Sequence, residues 1–407
     1  MVFEMSKFNS LIIRHLINFV KTRQNYIVFE SSHHHLYDNS FCLFQYLKQY
    51  KKLKLFYVVY NDDQFFEALR KGLKKKQIFF VSNKITHHKF KNLPYIIKWR
   101  KILKKCGLVF ITYRNFYKEF NIPFYPEQKI INLRHGQFPI KNISKYYNGL
   151  IFDYDADFYF RVGTKESIKL LPEELKKLKC KWFASGMPRN DSLHVDKRSN
   201  FNEMLKQYEV ESKSKVIFCM TTLRNSPKEG YFENHFPLKF SSEELDNFNK
   251  FLKANNCLFL VKAHHDNFLS ENDRKIMSLS NVAVIDDIDL ENNNIFLNET
   301  FQYSDMLITD FSSVLFDYLI LNKPIAYITA DIEKFKSEQG LYSTDFLSTG
   351  EQIKNIEDLK KVIINFTKNI DDKEKARLNY GKLYNGDFTN SNSEQIVSLF
   401  INHKYLS

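Results

Sequence analysis

Ser304-Asp-Met-Leu-Ile-Thr-Asp-Phe-Ser-Ser-Val-Leu-Phe-Asp317 is the stretch on which the fold turns. Met306–Thr309 is a short, largely apolar run with no polar alternation, so it reads as a strand buried on both faces. Asp310 to Ser313 then makes a sharp strand-to-helix junction. Ser312 and Ser313 are predicted to occupy the first turn of a helix running to about Leu321. A buried strand feeding directly into a helix is half of a crossover unit in a parallel sheet.

The same unit recurs along the chain. Strand candidates in the first half are Tyr26–Glu30, Leu55–Tyr60, Gln77–Val81, Leu108–Thr112, Lys129–Leu133, Phe158–Val162 and Trp182–Ala184. In the second half they are Val216–Met220, Leu258–Lys262, Val282–Ile285, Met306–Thr309 and Pro324–Ile328. Amphipathic segments such as Asn39–Tyr50, Gln64–Gly72 and Ser241–Asn255 supply helical crossovers. The pattern predicts an α/β protein with doubly wound sheets. A polar, charged break at Asp191–Asn200, after the turn-rich Ser185-Gly-Met-Pro-Arg-Asn-Asp191, divides the chain into residues 1–195 and 196–407. Two such domains facing each other place a site in their cleft, at the carboxyl ends of strands. The final helix is a candidate to pack back on the first domain. There is no internal repeat and no long low-complexity linker.

Length and composition agree with two folded domains. At 407 residues the chain exceeds an ordinary single core, and a hydrophobic fraction of 43% excludes intrinsic disorder. The formal net charge of +13 favours a polyanionic partner. No zinc finger, RRM or KH signature accompanies that charge, so a membrane surface or an acidic polymer ranks above nucleic acid. Basic runs such as Lys51-Lys52-Leu53-Lys54 and Lys74-Lys75-Lys76 read as solvated surface. Cys42, Cys106, Cys180, Cys219 and Cys257 stand far apart with no C-x-x-C pair, which is the usage of free thiols in a reducing compartment. No secretory signal and no apolar run of about 18 residues is present, so a cytoplasmic location is expected. Residues 5–23 form a candidate helix with Phe8, Leu11, Ile12 and Phe19 opposing Lys7, Arg14 and Lys21. It would suit a membrane interface or a first helix packed on its own domain.

Several strand ends carry chemistry. Unbonded N–H groups at the helix start near Ser312 and Ser313, with two hydroxyls, make an anion site for a phosphate. Plain helix capping by Asp310 or Ser312 fits the same residues. In Ile131-Asn-Leu-Arg-His-Gly-Gln-Phe-Pro-Ile-Lys141, His135 and Gly136 follow a strand. An imidazole there can accept a proton from an attacking hydroxyl, and the glycine permits close backbone approach. Cys257-Leu-Phe-Leu-Val-Lys-Ala-His-His265 puts Lys262 and His264 on one side of a strand end, two candidate cations for a pyrophosphate, with His265 pointing away. Arg189 and Arg224 follow strands on loops, and guanidinium suits phosphate oxygens. The alternative for Arg189 is pairing with a neighbouring carboxylate such as Asp191. His33-His34-His35 cannot easily converge on one metal ion from an extended chain, because successive side chains point apart. His87-His88 reads as surface.

Taken together, these pieces resemble the CDP-glycerol glycerophosphotransferase family of teichoic acid primases and polymerases. From about Tyr26 to Phe346 the matches run in the family's order. They are Asp38-Asn39, His135-Gly136 with a following lysine, and Gly186-x-Pro-Arg-Asn-Asp191. Next come Thr222-x-Arg224, Lys262-x-His264, Ile308-Thr-Asp-Phe-Ser-Ser313 with Asp317, and Asn322-Lys-Pro324 leading to Asp331.

The resemblance implies a GT-B-type fold with the nucleotide on the C-terminal domain, and phosphodiester formation without a dedicated metal or cofactor. The donor would be a CDP-activated alcohol, and the acceptor an anionic polymer or a lipid-linked hydroxyl at the inner membrane face. By the same resemblance His135 would be the general base. His264, the second catalytic residue, would with Lys262, Arg224 and the Ser312/Ser313 helix start hold the donor pyrophosphate and stabilise CMP departure, with Arg189, Thr222, Asp310 and Asp317 on the donor side. Gly136, Lys141, Asp38 and Asn39 would lie on the acceptor side. The departures from the pattern fall near the acceptor. Arg134 stands where the family usually has tryptophan, Lys141 comes one position late, and His265 replaces the usual proline. Two other readings share the fold: a GT-B glycosyltransferase with a nucleotide-sugar donor, and an inactive membrane-associated partner of a polymer-synthesis complex.

Overall fold

The computed structural model describes residues 23–30, 36–80, 93–112, 127–137, 140–142, 157–206, 215–222, 236–238, 240–262, 279–387 and 391–401. Within them the strands form two wholly parallel sheets. The first contains β1 (Arg23–Glu30), β2 (Lys54–Val59), β3 (Ile78–Phe80), β4 (Cys106–Ile111), β5 (Lys129–Asn132), β6 (Asp157–Val162) and β7 (Lys181–Ala184). Its order is β3-β2-β1-β4-β5-β6-β7. The second contains β8 (Lys215–Cys219), β9 (Cys257–Lys262), β10 (Val282–Ile285), β11 (Met306–Thr309), β12 (Ile325–Ile328) and β13 (Glu351–Ile353), in the order β10-β9-β8-β11-β12-β13. In each sheet the first strand lies inside and the winding reverses beside it, so a switch-point crevice opens at the carboxyl ends of β1/β4 and β8/β11.

The central stretches of most strands are apolar because both faces are covered. Along β8, Val216 and Phe218 enter one core while Ile217 and Cys219 enter the core on the opposite face. Along β1, Val28 faces one core and Ile27 and Phe29 the other. Burying each large aliphatic side chain is worth about 1.5–3 kcal/mol. Twelve strands lie where the apolar runs place them. The thirteenth, β13, has two exposed residues in its Glu-Gln-Ile sequence and carries no apolar signature.

The predicted helix after Asp310 starts later than its sequence suggests. Ser313 occupies the cap position and the α-helix runs Val314–Tyr318, followed by a 3-10 turn Leu319–Leu321. Leu315 and Phe316 donate to the carbonyls of Ser312 and Ser313, at 3.3 and 3.1 Å, so the first turn is wound in the tighter 3-10 manner.

The chain returns to the first sheet at its end. In the helix Asn392–Phe400 and just beyond it, Ile396, Val397 and Ile401 join the core containing Phe29 and Phe41. Asp191 accepts from the N–H groups of Asn392 and Ser393 at 2.7 and 3.0 Å, capping this helix. The cysteines form no disulfide; Cys106, Cys219 and Cys257 are buried, Cys42 and Cys180 half-buried. No helix among the described residues is long and apolar enough to cross a membrane. The candidate interfacial helix at residues 5–23 lies outside the described residues except at Arg23.

Candidate active site

A cleft of about 310 Å³ lies between the two sheets, and eight of the predicted residues line it: His135, Lys141, Arg189, Thr222, Lys262, Ser312, Ser313 and Asp317. They come from the end of β9 and from the segments that follow β5, β7, β8 and β11, so the strand ends of both sheets converge on one space.

On the first-sheet side, the imidazole of His135 is exposed while Leu133, Arg134 and Gln137 around it are buried. The loop is held from several directions. Arg134 takes a left-handed backbone conformation, φ 62°, which costs a non-glycine residue about 1–3 kcal/mol. Its N–H donates to Asn132 Oδ1 at 2.8 Å and its carbonyl accepts from Asn39 Nδ2 at 2.6 Å. Arg161 donates through Nε to the Leu133 carbonyl at 2.7 Å and through a terminal nitrogen to Gln137 Oε1 at 2.8 Å. Burial, with Arg134 and Arg189 nearby, pulls the Arg161 guanidinium down to about 9, so it stays protonated at neutral pH. Lys141 pairs with Leu341 in an isolated antiparallel bridge, which stitches residues 140–142 to the second lobe.

On the second-sheet side, Asp310 is fully buried and both its carboxylate oxygens accept from the Thr222 N–H, at 2.8 and 3.0 Å. Asp310 therefore ties the ends of β8 and β11 together. Ser312 Oγ accepts from the Val314 N–H at 3.4 Å, a long capping bond, and Ser313 makes no side-chain cap. Ser313 instead meets the first lobe: a β-carbon on Gly136 would lie 2.5 Å from its hydroxyl oxygen. Lys262 is buried in the cleft wall and its ammonium pairs with Asp287 at 3.1 Å.

Three expectations change on this geometry. Arg189 does line the cleft, but its guanidinium forks onto Asp317, at 3.2 and 2.6 Å, with both side chains nearly inaccessible. Burial alone would lower its pKa; the Asp317 charge and hydrogen bonds outweigh that and hold it above the ordinary value. Arg189 and Asp317 thus form a bond between the lobes, and the neighbouring Asp191 is taken by the last helix. Asp38 and Asn39 do not reach the cleft. Asp38 is buried, accepting from Ser40 N–H at 2.9 Å and from the Thr112 hydroxyl at 2.6 Å. Asn39 bridges the Arg134 carbonyl and, through Oδ1, the Arg189 N–H at 3.2 Å, so it braces the His135 loop from behind. Arg224, His264, His265, His33-His34-His35 and His87-His88 lie outside the described residues.

A stacked aromatic pair also lines the cleft. Tyr37 stacks on Phe296 with ring centroids 3.7 Å apart and planes 9° apart, and the Lys71 ammonium sits 4.3 Å from the Phe296 centroid. Arg70 and Glu291 form an ion pair between the lobes nearby. Asp287, Gln137 and Arg161 are site residues that sequence reading passes over. Only Arg161 carries a signal, as the lone charge within the apolar strand Phe158-Tyr-Phe-Arg-Val162. Among the described residues no group of three His, Cys, Asp or Glu side chains is placed to hold a metal ion.

The sequence profile of the family described as CDP-Glycerol:Poly(glycerophosphate) glycerophosphotransferase matches residues 12–402. The chain is 34% identical over 160 residues to the teichoic acid poly(glycerol phosphate) polymerase of Staphylococcus epidermidis, covering 39% of this chain and 20% of that one. It is 28% identical over 160 residues to the teichoic acid glycerol-phosphate primase of Bacillus spizizenii, covering 38% of this chain and 36% of the relative. It thus spans well under half the length of either. A longer alignment, 24% identical over 349 residues, covers 78% of this chain and 78% of the teichoic acid glycerol-phosphate transferase of Staphylococcus aureus. The solved structure of the wall teichoic acid polymerase TagF superposes with a TM-score of 0.66 at 19% identity, covering 98% of this chain and 97% of that one. That likeness shows the fold to be GT-B-like.

Proposed function

The chain belongs to the CDP-glycerol:poly(glycerophosphate) glycerophosphotransferase family, and from that premise we propose that it moves a polyol phosphate from a CDP-activated donor to a hydroxyl of a surface-polymer acceptor. The observation that carries this reading is the meeting of Gly136 and Ser313. It brings the His135 imidazole of one lobe and the helix start of the other into the same cleft as Lys262.

In this reading His135 accepts the proton of the acceptor hydroxyl as its oxygen attacks the phosphorus that bears the polyol. The new oxygen–phosphorus bond forms as the pyrophosphate linkage breaks, and CMP departs. In-line phosphoryl transfer depends on positioning and charge neutralisation. Lys262 and the N–H groups beside Ser312 and Ser313 neutralise the departing phosphate, with Thr222 at the adjoining strand end. His264 and Arg224 join this donor side on their motif positions alone. Asp287 holds the Lys262 ammonium in place until the donor's phosphates compete for it. Residues 1–195 then form the acceptor lobe and 196–407 the donor lobe. No cofactor or metal is assigned a step. The net charge of +13 suits an anionic acceptor and residence at the cytoplasmic face of the membrane.

Labelled CDP-glycerol or CDP-ribitol, incubated with a lipid-linked glycerol-phosphate acceptor, should yield CMP and an extended acceptor. His135→Ala should abolish both. Absence of CMP from both donors, or release of a different nucleotide from a sugar donor, would overturn the assignment.

A further inference from the structure

His135 is an exposed side chain on a loop whose neighbours are buried, and one of the buried supports of that loop comes from a residue the transfer chemistry does not use. Arg161 is only 1% exposed, one residue from the carboxyl end of β6. Its guanidinium reaches three acceptors: the Leu133 carbonyl at 2.7 Å, the Ser185 carbonyl at 3.0 Å and Gln137 Oε1 at 2.8 Å. Leu133 and Gln137 stand two residues before and two after His135, so one planar fork grips both limbs of the loop. Gln137 in turn donates through Nε2 to the Tyr384 carbonyl at 2.8 Å, in the helix Glu374–Asn385 near the chain's end. That contact needs Gly163. A β-carbon there would fall 1.4 Å from the Tyr384 oxygen and 2.2 Å from Gln137 Nε2. Burying a guanidinium is costly unless every donor has a fixed acceptor, and here the acceptors are the loop itself.

We propose that Arg161, acting through Gln137, is the positioning residue that fixes the direction of the His135 imidazole and couples it to docking of the helix Glu374–Asn385. The assignment rests on the phosphotransferase reading for His135. A guanidinium has the planar fork this grip requires, whereas an ammonium at the same place is a single point and spans only one limb.

The full-length protein carrying Arg161→Met, Arg161→Lys or Gln137→Leu tests it, read by CMP release from CDP-glycerol and by the proton–carbon NMR resonance of the His135 ring, assigned with His135→Ala. In variants whose thermal melts stay cooperative, kcat should fall by about 100-fold, the scale expected for a misdirected catalytic group. KM for CDP-glycerol should stay within about two-fold, since a loss confined to kcat marks an interaction needed only for the chemical step. Arg161→Lys should not rescue, and the His135 resonance should shift or broaden in all three. Gln137→Leu keeps the buried guanidinium and so remains informative if Arg161→Met misfolds. Full kcat in the folded variants, loss that merely tracks unfolded protein, or rescue by lysine would overturn the proposal. If the wild type releases no CMP, the phosphotransferase reading fails and the resonance alone decides: an unchanged His135 signal rejects the clamp, a shifted one supports it.

Discussion

Gly136 and Ser313 stand on different lobes, yet a β-carbon on the glycine would lie 2.5 Å from the serine hydroxyl oxygen and 2.9 Å from the serine β-carbon. The His135 loop and the helix start thus meet across the cleft at this pair.

Gly136→Ala should therefore push the lobes apart at their catalytic seam. Overpacking of this kind costs about 1–3 kcal/mol, and CMP release should drop far more than stability does. Gly136→Ala combined with Ser313→Gly removes the clashing atoms and should recover a large part of the activity. A double variant no better than Gly136→Ala would show that the contact is not the cause.

Arg189 and Asp317 form the buried bond between the lobes. Asp317→Ala leaves a desolvated guanidinium with its main partner gone and should destabilise the protein by about 3–5 kcal/mol in urea unfolding. Arg189→Met with Asp317→Leu removes both charges and should come much closer to the wild type. The check is whether the double variant is more stable than Asp317→Ala.

Lys262 is a buried cation in the cleft wall, held by Asp287 at 3.1 Å. Lys262→Met should lower kcat by about 10²–10³-fold, the usual effect of deleting one preorganised electrostatic contact. Asp287→Asn frees the ammonium from its carboxylate and should tighten donor binding in a calorimetric titration with CDP-glycerol.

Glu299 is buried at the start of a short helix near the cleft, and burial raises its pKa above 4.5 despite the Phe296 N–H bond and the charges of Lys197 and Lys71. A carboxyl with a raised folded-state pKa contributes full stability below 4.5 and loses it as pH rises through the elevated value. Glu299→Gln keeps an acceptor for Phe296 and cannot ionise. It should be more stable than the wild type at pH 7, with the difference closing below 4.5 in paired urea melts.

Secondary structure was legible because parallel strands buried on both faces must be apolar along their whole length. Val282–Ile285 and Met306–Thr309 were readable to the residue, whereas Glu351–Ile353 lies on an edge, half exposed, with nothing in its composition to mark it. Strand-end position was legible too, and it placed His135, Lys262, Ser312 and Ser313 at the mouths of strands. Their convergence on one cleft was decided by how two sheets, each wound from an inner first strand, face each other. Partner choice was decided there as well. Arg189 could have joined Asp191, next door but one, yet Asp191 caps the last helix and the guanidinium crosses to Asp317. Arg161 looked like one charge in an apolar strand; only the fold brings Leu133, Ser185 and Gln137 to its three faces. Periodicity and composition report local burial, which neighbours in sequence share. The pairing of buried charges depends on distances between segments far apart in the chain, and these exist only once the lobes have closed.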